Sequence, residues 1–120
     1  MKELTRAEEE LMQYLWQLKE AKVADIIELM PEPKPAYNTV STIIRILEQK
    51  DFVGYRKEGR GHIYFPKVAQ EVYKNASMKK LINNYFGGSF SSMVSFFVKK
   101  NDMSITELEK LKEELDQNQN

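Results

Sequence analysis

The spacing of apolar residues changes at Lys50, and this change constrains the fold more than any other feature of the chain. Before Lys50, apolar residues recur every three or four positions, which is typical of amphipathic helices. After it come two short runs rich in aromatic and β-branched residues, FVGYRK and HIYFP, separated by EGRG. The glycines of EGRG suit the tight turn of a β-hairpin. The sequence therefore predicts helices followed by a two-stranded hairpin.

Three helical segments precede Lys50. The first begins with a capping box, Thr5-x-x-Glu8, and the second is the short segment KVADIIELM. The prolines of PEPKP end the second helix because they lack an N–H donor and hold their predecessors in extended geometry. Trp16 lies off the apolar stripe of the first helix, which predicts a second packing surface there. The predicted inward residues of the two helices are Leu4, Ala7, Leu11, Leu15, Leu18, Val23, Ile26, Ile27 and Met30.

The third segment, residues 36–50, combines two opposed signals. Six of the eight residues from 39 to 46 are β-branched, which lowers helix propensity. Its apolar residues Val40, Ile43, Ile44 and Leu47 nevertheless recur at the spacing of one buried helical face. The opposite face carries Asn38, Ser41, Thr42, Arg45 and Gln49, where a solvated helix would carry Glu and Lys. Short side chains allow a helix to approach base edges closely, and Asn and Arg can pair with adenine and guanine.

Three helices followed by a basic hairpin is the order of a winged helix-turn-helix domain, in which the third helix enters the major groove. The chain has 18 basic and 18 acidic residues, but residues 34–67 carry 7 basic and 3 acidic residues. Attraction to phosphates depends on such local patches rather than on the net charge. The predicted phosphate contacts are Lys34, Lys50, Arg56, Lys57 and Arg60. The alternative is a winged-helix module that binds another protein and has no specific DNA binding.

Enzyme chemistry is disfavoured by what the sequence lacks. It has no cysteine, which excludes disulfides, thiolate metal sites and cysteine nucleophiles. His62 is the only histidine, and a lone histidine in a strand predicts a structural role. No glycine-rich phosphate loop is present, so we expect no catalytic site, metal or cofactor. No apolar run is long enough to span a membrane and no secretory signal is visible, so a cytoplasmic location is expected.

Residues 68–120 predict three further helices, the first ending near Gly87 and Gly88 and the last beginning at a capping box, Ser104-x-x-Glu107. A segment of this size buries too little apolar surface to be stable alone. We therefore expect a dimerisation region after a winged-helix domain at residues 1–67, the alternative being that the segment folds back onto that domain. The predicted dimer contacts are Phe90, Met93, Val94, Phe97, Leu108, Leu111 and Leu115.

Several blocks of the chain resemble the penicillinase-repressor family (BlaI/MecI). They are TRAEEELMQYLW, NTVSTIIRILEQKDFVGYRKEGRGHIYFP and YFGGSFSSMVSFFVKKNDMSITELEKLKEEL, which together extend from Thr5 to about Leu115. The resemblance implies a homodimeric transcriptional repressor that binds dyad-symmetric double-stranded DNA operators through its winged helices. Thr39 and Thr42 match the family's T-x-x-T in the recognition helix. Ala36 stands where many members have a serine helix cap, which implies a weaker cap here.

The resemblance also concerns induction. In antibiotic-responsive members a membrane sensor-protease cleaves an Asn-Phe bond in the C-terminal region. This chain has Phe96 in place of that asparagine, so Phe96–Phe97 is the corresponding candidate cleavage site. A related branch senses copper through a cysteine-rich tail, and the absence of cysteine closes that route here.

Overall fold

The computed structural model describes residues 1–101 and 104–117, without the side chains of residues 101, 105, 108 and 115–117. It contains six helices and two strands within these residues, which confirms a mainly α fold with a small β-hairpin. The elements are α1 Arg6–Leu18, α2 Val23–Leu29, α3 Tyr37–Gln49, β1 Val53–Glu58, β2 Gly61–Pro66, α4 Gln70–Phe86, α5 Phe90–Asn101 and α6 Ile105–Gln117. The chain divides into two compact units, residues 1–69 and 70–120.

Helix α1 begins with the predicted capping box. The Thr5 hydroxyl accepts from the Glu8 N–H, and the Glu8 carboxylate accepts from the Thr5 N–H, both at 3.2 Å. The predicted stripe is partly wrong, because Ala7 is exposed while Glu8 and Met12 are buried beside Leu11 and Leu15. Leu4 and Leu18 are half-buried. The face that meets the core is therefore centred on residues 8, 11, 12 and 15 rather than on the predicted positions.

Trp16 occupies the second packing surface that its position predicted. Its indole Nε1–H donates to the carbonyl of Val68 at 2.8 Å. This bond holds the chain that follows the hairpin against α1. The first compact unit includes this segment and extends to Ala69.

Helices α2 and α3 complete the core of the first unit. In α2 only Val23 and Ile26 are buried, while Ile27 and Met30 are half-buried; Met30 lies just beyond the end of the helix. In α3, Val40, Ile44 and Leu47 are fully buried, and Ile43 is half-buried. Packing of these apolar side chains outweighs the low helix propensity of the β-branched residues in α3.

Ala36 precedes α3 without forming a side-chain cap. Replacing Ala36 with serine should stabilise the protein by about 1 kcal/mol, because the hydroxyl can accept from a free N–H of the first turn. Urea denaturation of the two proteins measures the difference. Ala36→Val, which adds no oxygen, is the matched control. Equal stability of the serine variant and the wild type would show that the helix start gains nothing from a cap.

The hairpin register pairs Val53 with Pro66 at its base and Glu58 with Gly61 at its tip. A two-residue turn remains, and its first residue, Gly59, has φ 61°. A positive φ at this position is typical of the type II′ turn, in which glycine is favoured. The segment between α1 and α2 extends the sheet, since Ala21 and Tyr64 exchange N–H···O bonds of 2.9 and 2.8 Å. The hairpin is thus fastened to the helices through β2.

The second unit packs α4, α5 and α6 around a small apolar cluster. Ile82 and Met93 are buried at its centre, and six half-buried residues surround them: Met78, Leu81, Phe86, Phe90, Phe97 and Leu111. Gly87 and Gly88, with φ values of 59° and 80°, separate α4 from α5. The Ser104 hydroxyl accepts from the Glu107 N–H at 3.2 Å at the start of α6, as expected of the predicted cap.

These contacts change the interpretation of the predicted dimer residues. Met93 is fully buried within one chain, so it has no exposed surface there for contact with a second copy. Phe90, Phe97 and Leu111 pack on the same cluster, and Val94 is half-buried. The side chains of Leu108 and Leu115 lie outside the described residues. Of the helices in residues 1–101 and 104–117, none has the length and apolarity to cross a membrane.

Candidate nucleic-acid interface

The outward face of α3 is built from short polar side chains, as predicted. Asn38, Thr39, Thr42 and Arg45 are exposed, and Ser41 is half-buried. The Thr42 hydroxyl donates to the carbonyl of Asn38 at 2.8 Å. The Arg45 guanidinium reaches the Ser41 hydroxyl at 3.4 Å, a long contact that leaves most of its donors available. This face therefore offers one guanidinium, one amide and several small side chains to an incoming surface.

Thr39 lies at the flank of this face. Together with Tyr14, Pro33 and Ile43 it lines a cavity of about 580 Å³, between α1, the proline-rich connector and the start of α3. Helical periodicity did not place Thr39 on the outward face, and the resemblance to a family motif was the only sequence signal for it. Its exposure is compatible with a contact at the edge of an interface.

The two faces of the hairpin carry different chemistry. Side chains alternate along a strand, and directly opposed residues share a face. Tyr55 and Lys57 therefore lie with Tyr64 and His62, their partners in the register. The ring centroids of Tyr55 and His62 are 4.8 Å apart, and those of Tyr55 and Tyr64 are 6.3 Å apart. These four residues form what we call the aromatic face of the hairpin.

The aromatic face lies beside the outward face of α3. Burial raises the pKa of the Tyr64 phenol, and the nearby Glu48 carboxylate and Tyr37 raise it further, whereas Arg45 opposes them. Glu48, Tyr37 and Arg45 all belong to α3, so the charges of that helix act directly on a side chain of β2. Arg45, which belongs to the outward face of α3, is thus close enough to the aromatic face to affect Tyr64. The sequence did not predict this participation of Tyr55, His62 and Tyr64.

Arg56, a predicted phosphate contact, lies on the opposite face of the hairpin from Lys57. Its guanidinium forms two parallel hydrogen bonds of 2.8 and 2.9 Å with the Glu20 carboxylate. The bonds from Arg56 lower the pKa of Glu20, and Glu20 raises the pKa of Arg56. This pair joins the hairpin to the segment between α1 and α2. In the structure Arg56 therefore holds the hairpin against the segment between α1 and α2. To bind a phosphate, its guanidinium would first have to release the Glu20 carboxylate.

Lys50 also has partners within the chain. Its ammonium donates to the Glu8 carboxylate at 2.5 Å and to the Glu3 carbonyl at 2.9 Å. The Lys50 and Glu8 side chains are 23% and 7% exposed. Burial by itself raises the pKa of Glu8, but the hydrogen bonds from Lys50 and Thr5 outweigh it and the net pKa is lowered. The structure thus gives Lys50 a structural role that joins the end of α3 to the start of α1.

Replacing Lys50 with methionine should destabilise the protein by about 2–3 kcal/mol at pH 7, because it leaves the buried Glu8 carboxylate unpaired. The loss should shrink at pH 3. Since the folded-state pKa of Glu8 is lowered, the stability from the pair is present above the ordinary carboxyl pKa and is lost as pH falls through the folded-state value. Urea denaturation at both pH values measures this. Lys57→Met is the control, and an equal loss in both variants would contradict a structural role for Lys50.

The remaining predicted phosphate contacts fall into two groups. Lys34 donates to the carbonyls of Glu28 and Met30 at 2.8 and 2.6 Å and so caps the end of α2. Lys57 and Arg60 are exposed on the hairpin. Lys57 stands on the aromatic face beside α3, and Arg60 lies in the turn. Among these residues and Arg45 of α3, the cations without a strong partner of their own are therefore Arg45, Lys57 and Arg60.

Within residues 1–101 and 104–117, no three histidine, aspartate or glutamate side chains are grouped so that they could hold a metal ion. The outward face of α3 and the aromatic face of the hairpin are instead polar, aromatic and basic.

Three helices and a basic hairpin, with a short polar face on the third helix, define a winged-helix protein. The family model described as "Penicillinase repressor" matches residues 4–117, and the chain belongs to this family. The methicillin resistance regulatory protein MecI of Staphylococcus aureus strain N315 is 33% identical over 111 residues, covering 92% of this chain and 90% of MecI. The penicillinase repressor of Bacillus licheniformis is 25% identical over 119 residues, covering 98% and 93%. The resemblance seen in the sequence is confirmed.

Two solved structures are also similar. One is the solution structure of the monomeric form of Bacillus licheniformis BlaI in complex with the blaP half-operator. It has a TM-score of 0.49 and 22% identity, and the match covers 58% of this chain and 87% of that one. The other is the CopR repressor, with a TM-score of 0.46 and 33% identity, covering 54% of this chain and 96% of that one.

Proposed function

We propose that the chain is a sequence-specific DNA-binding transcriptional repressor that acts as a homodimer on a dyad-symmetric operator. Membership of the penicillinase repressor family supports this proposal, as do relatives named as a repressor and as a resistance regulator. The observation that carries it is the exposed short polar face of α3 beside a hairpin face that presents Lys57. A helix with this face can enter the major groove, where longer solvated side chains would hold it away from the bases.

The proposed contacts divide into base readout and backbone contacts. Arg45 is suited to the O6 and N7 atoms of guanine and Asn38 to the N6 and N7 atoms of adenine. The Thr42 hydroxyl donates within the helix, and its methyl group suits the methyl group of thymine. Lys57 and Arg60 would bind phosphates and fix the register of the helix without reading sequence. Thr39 lies at the edge of the proposed DNA-binding face of α3, and Ser41 lies at its centre.

Dimerisation is proposed to use the second unit. The Ile82–Met93 cluster is small, and aromatic surface remains outside it: Phe96 is 46% exposed and Tyr85 is 76% exposed. The Phe96 ring lies 5.6 Å from Phe86 and 5.5 Å from Phe97, centroid to centroid. Exposed aromatic side chains of this kind are typical of an interaction surface. A second copy of the chain would cover it, and linking two DNA-binding domains raises avidity.

Release from the operator is proposed to follow disruption of the same unit. The Phe96–Phe97 bond lies inside α5, so a membrane sensor-protease could cleave it only after the helix opens locally. Phe96 is exposed, whereas Phe97 packs on the cluster. Cleavage here would cut the helix that supplies the proposed dimer surface, and the repressor would lose affinity.

A gel shift with the DNA upstream of the gene for this protein tests the proposal. We expect a shift at physiological salt that excess unlabelled upstream DNA removes and an equal amount of shuffled DNA does not. If the shift remains in the presence of shuffled DNA, binding is sequence-specific. If both competitors remove the shift equally, the protein binds DNA of any sequence. A folded protein that shifts no DNA would instead favour the protein-interaction module.

Replacing Lys57 with alanine should weaken binding to all sequences by a similar factor. A phosphate contact releases about one counterion, so the slope of log affinity against log salt should fall in magnitude by about 0.9. Fluorescence anisotropy at several salt concentrations measures the slope. Lys110→Ala, which removes an exposed lysine from α6, is the matched control. An unchanged slope for Lys57→Ala would remove this residue from the interface.

A further inference from the structure

His62, for which the sequence predicted a structural role, lies on the surface of the hairpin. It is exposed on β2, directly opposite Lys57 in the hairpin register. Its position next to the turn at the tip of the hairpin explains this exposure, since the helices cover only the base of the two strands. The side chain therefore belongs to the surface that adjoins the outward face of α3.

The contacts of His62 hold its ring in place. The Tyr64 hydroxyl lies 3.5 Å from Nδ1, and the Tyr55 ring packs at 4.8 Å between centroids. Among the described residues, no partner is recorded for Nε2. The ring is thus supported on two sides by tyrosines and keeps one nitrogen for an outside partner.

The charges around His62 come from both elements of the surface. Lys57 faces it from β1. Glu48, Arg45 and Tyr37 act from α3 on the adjoining Tyr64. Two of these groups are cations and one is a carboxylate. Lys57, directly opposite His62, is the cation placed to meet a phosphate oxygen of a DNA strand beside the recognition helix.

We propose that His62 binds the phosphate backbone of operator DNA, and that its protonation makes operator affinity depend on pH. The inference rests on the proposed function. It adds a phosphate contact at His62 and a dependence of operator affinity on pH, neither of which the sequence motifs predicted. In the protonated ring, Nε2–H donates to a phosphate oxygen while Nδ1–H is directed to the Tyr64 hydroxyl oxygen. A charged donor to a phosphate binds more strongly than a neutral one. Acidification therefore favours the complex.

The chain makes this response easy to assign. It contains one histidine and no cysteine, and histidine is the side-chain type whose charge ordinarily changes between pH 5 and 8. Phosphodiesters do not titrate in this range. Affinity should be about three- to tenfold higher at pH 5.5 than at pH 7.5, as one charged hydrogen bond forms. The salt slope should also be steeper by about 0.9 at the lower pH, because one further counterion is released.

The experiment measures operator affinity by anisotropy at pH 5.5 and 7.5 and at several salt concentrations. The proteins are the full-length wild type, His62→Gln and His62→Arg, each checked for its melting temperature. We expect His62→Gln to lose the pH response and the change in salt slope. We expect His62→Arg to bind at pH 7.5 as the wild type binds at pH 5.5. Any response of the terminal amine remains in both variants and is subtracted.

Two failures are distinguishable. If the folded wild type binds no DNA at either pH, the proposed function is wrong. If it binds specifically but His62→Gln keeps the full pH response, or if the wild type has none, the His62 inference is overturned while the repressor function stands.

Discussion

Replacing Phe96 with aspartate should lower the affinity for a full operator by about 10²- to 10⁴-fold, the range by which linking two binding modules raises affinity. Phe96 is 46% exposed within one chain. A charge at this position would be desolvated against the apolar surface of a second copy, which is unfavourable. Affinity for a single half-site should change little, since the winged-helix unit is untouched.

Phe96 is a sharper test than Phe97 or Leu111. Both of those side chains pack on the Ile82–Met93 cluster, so aspartate there would also unfold the second unit. Ser95→Asp places the same charge at the neighbouring exposed position of α5 and serves as the matched control. Sedimentation should show a dimeric wild type, a dimeric Ser95→Asp and a monomeric Phe96→Asp. A wild type that is monomeric at micromolar concentration, or a dimeric Phe96→Asp, would contradict the proposed interface.

Replacing Arg45 with alanine should weaken binding to the preferred site by about five- to 150-fold and relax sequence preference at one base pair. A bidentate arginine–guanine contact contributes about 1–3 kcal/mol of discrimination. Arg45 is exposed and its one intramolecular hydrogen bond is long, so the fold should be unaffected. The effect is therefore expected in binding alone.

The comparison with Arg45→Lys separates charge from geometry. Lysine keeps the positive charge but loses the planar donor pair, so it should retain the salt dependence and lose much of the base preference. Competition against operators with single base changes measures both properties. If Arg45→Ala weakens binding to every sequence equally, Arg45 is a phosphate contact and does not read bases.

The elements that the sequence predicted well are those set by local signals. The change of hydrophobic period located the hairpin, EGRG located its turn, and Thr5 with Glu8 located the start of α1. The position of the turn and the alternation of side chains along a strand could also have predicted which hairpin residues share a face. With a two-residue turn at Gly59, strand alternation places Lys57 opposite His62 and puts Arg56 on the other face.

The partners of the basic residues could not be predicted in this way. Arg56 pairs with Glu20, 36 positions away, and Lys50 pairs with Glu8, 42 positions away. Such pairs depend on how the helices pack, and no periodicity encodes them. Charge counting therefore predicted phosphate contacts at three residues that have partners within the chain, Lys34, Lys50 and Arg56. It also missed the tyrosines of the aromatic face, which carry no charge.

Selection of bound duplexes from a random-sequence pool measures sequence-specific binding through α3 without assuming an operator. We expect enrichment of an inverted repeat whose half-sites are centred about one helical turn, or a multiple of it, apart. With Arg45→Ala, the preference at one symmetric pair of positions should be lost. A folded, DNA-binding wild type that enriches no sequence over the starting pool would contradict sequence-specific repression through α3.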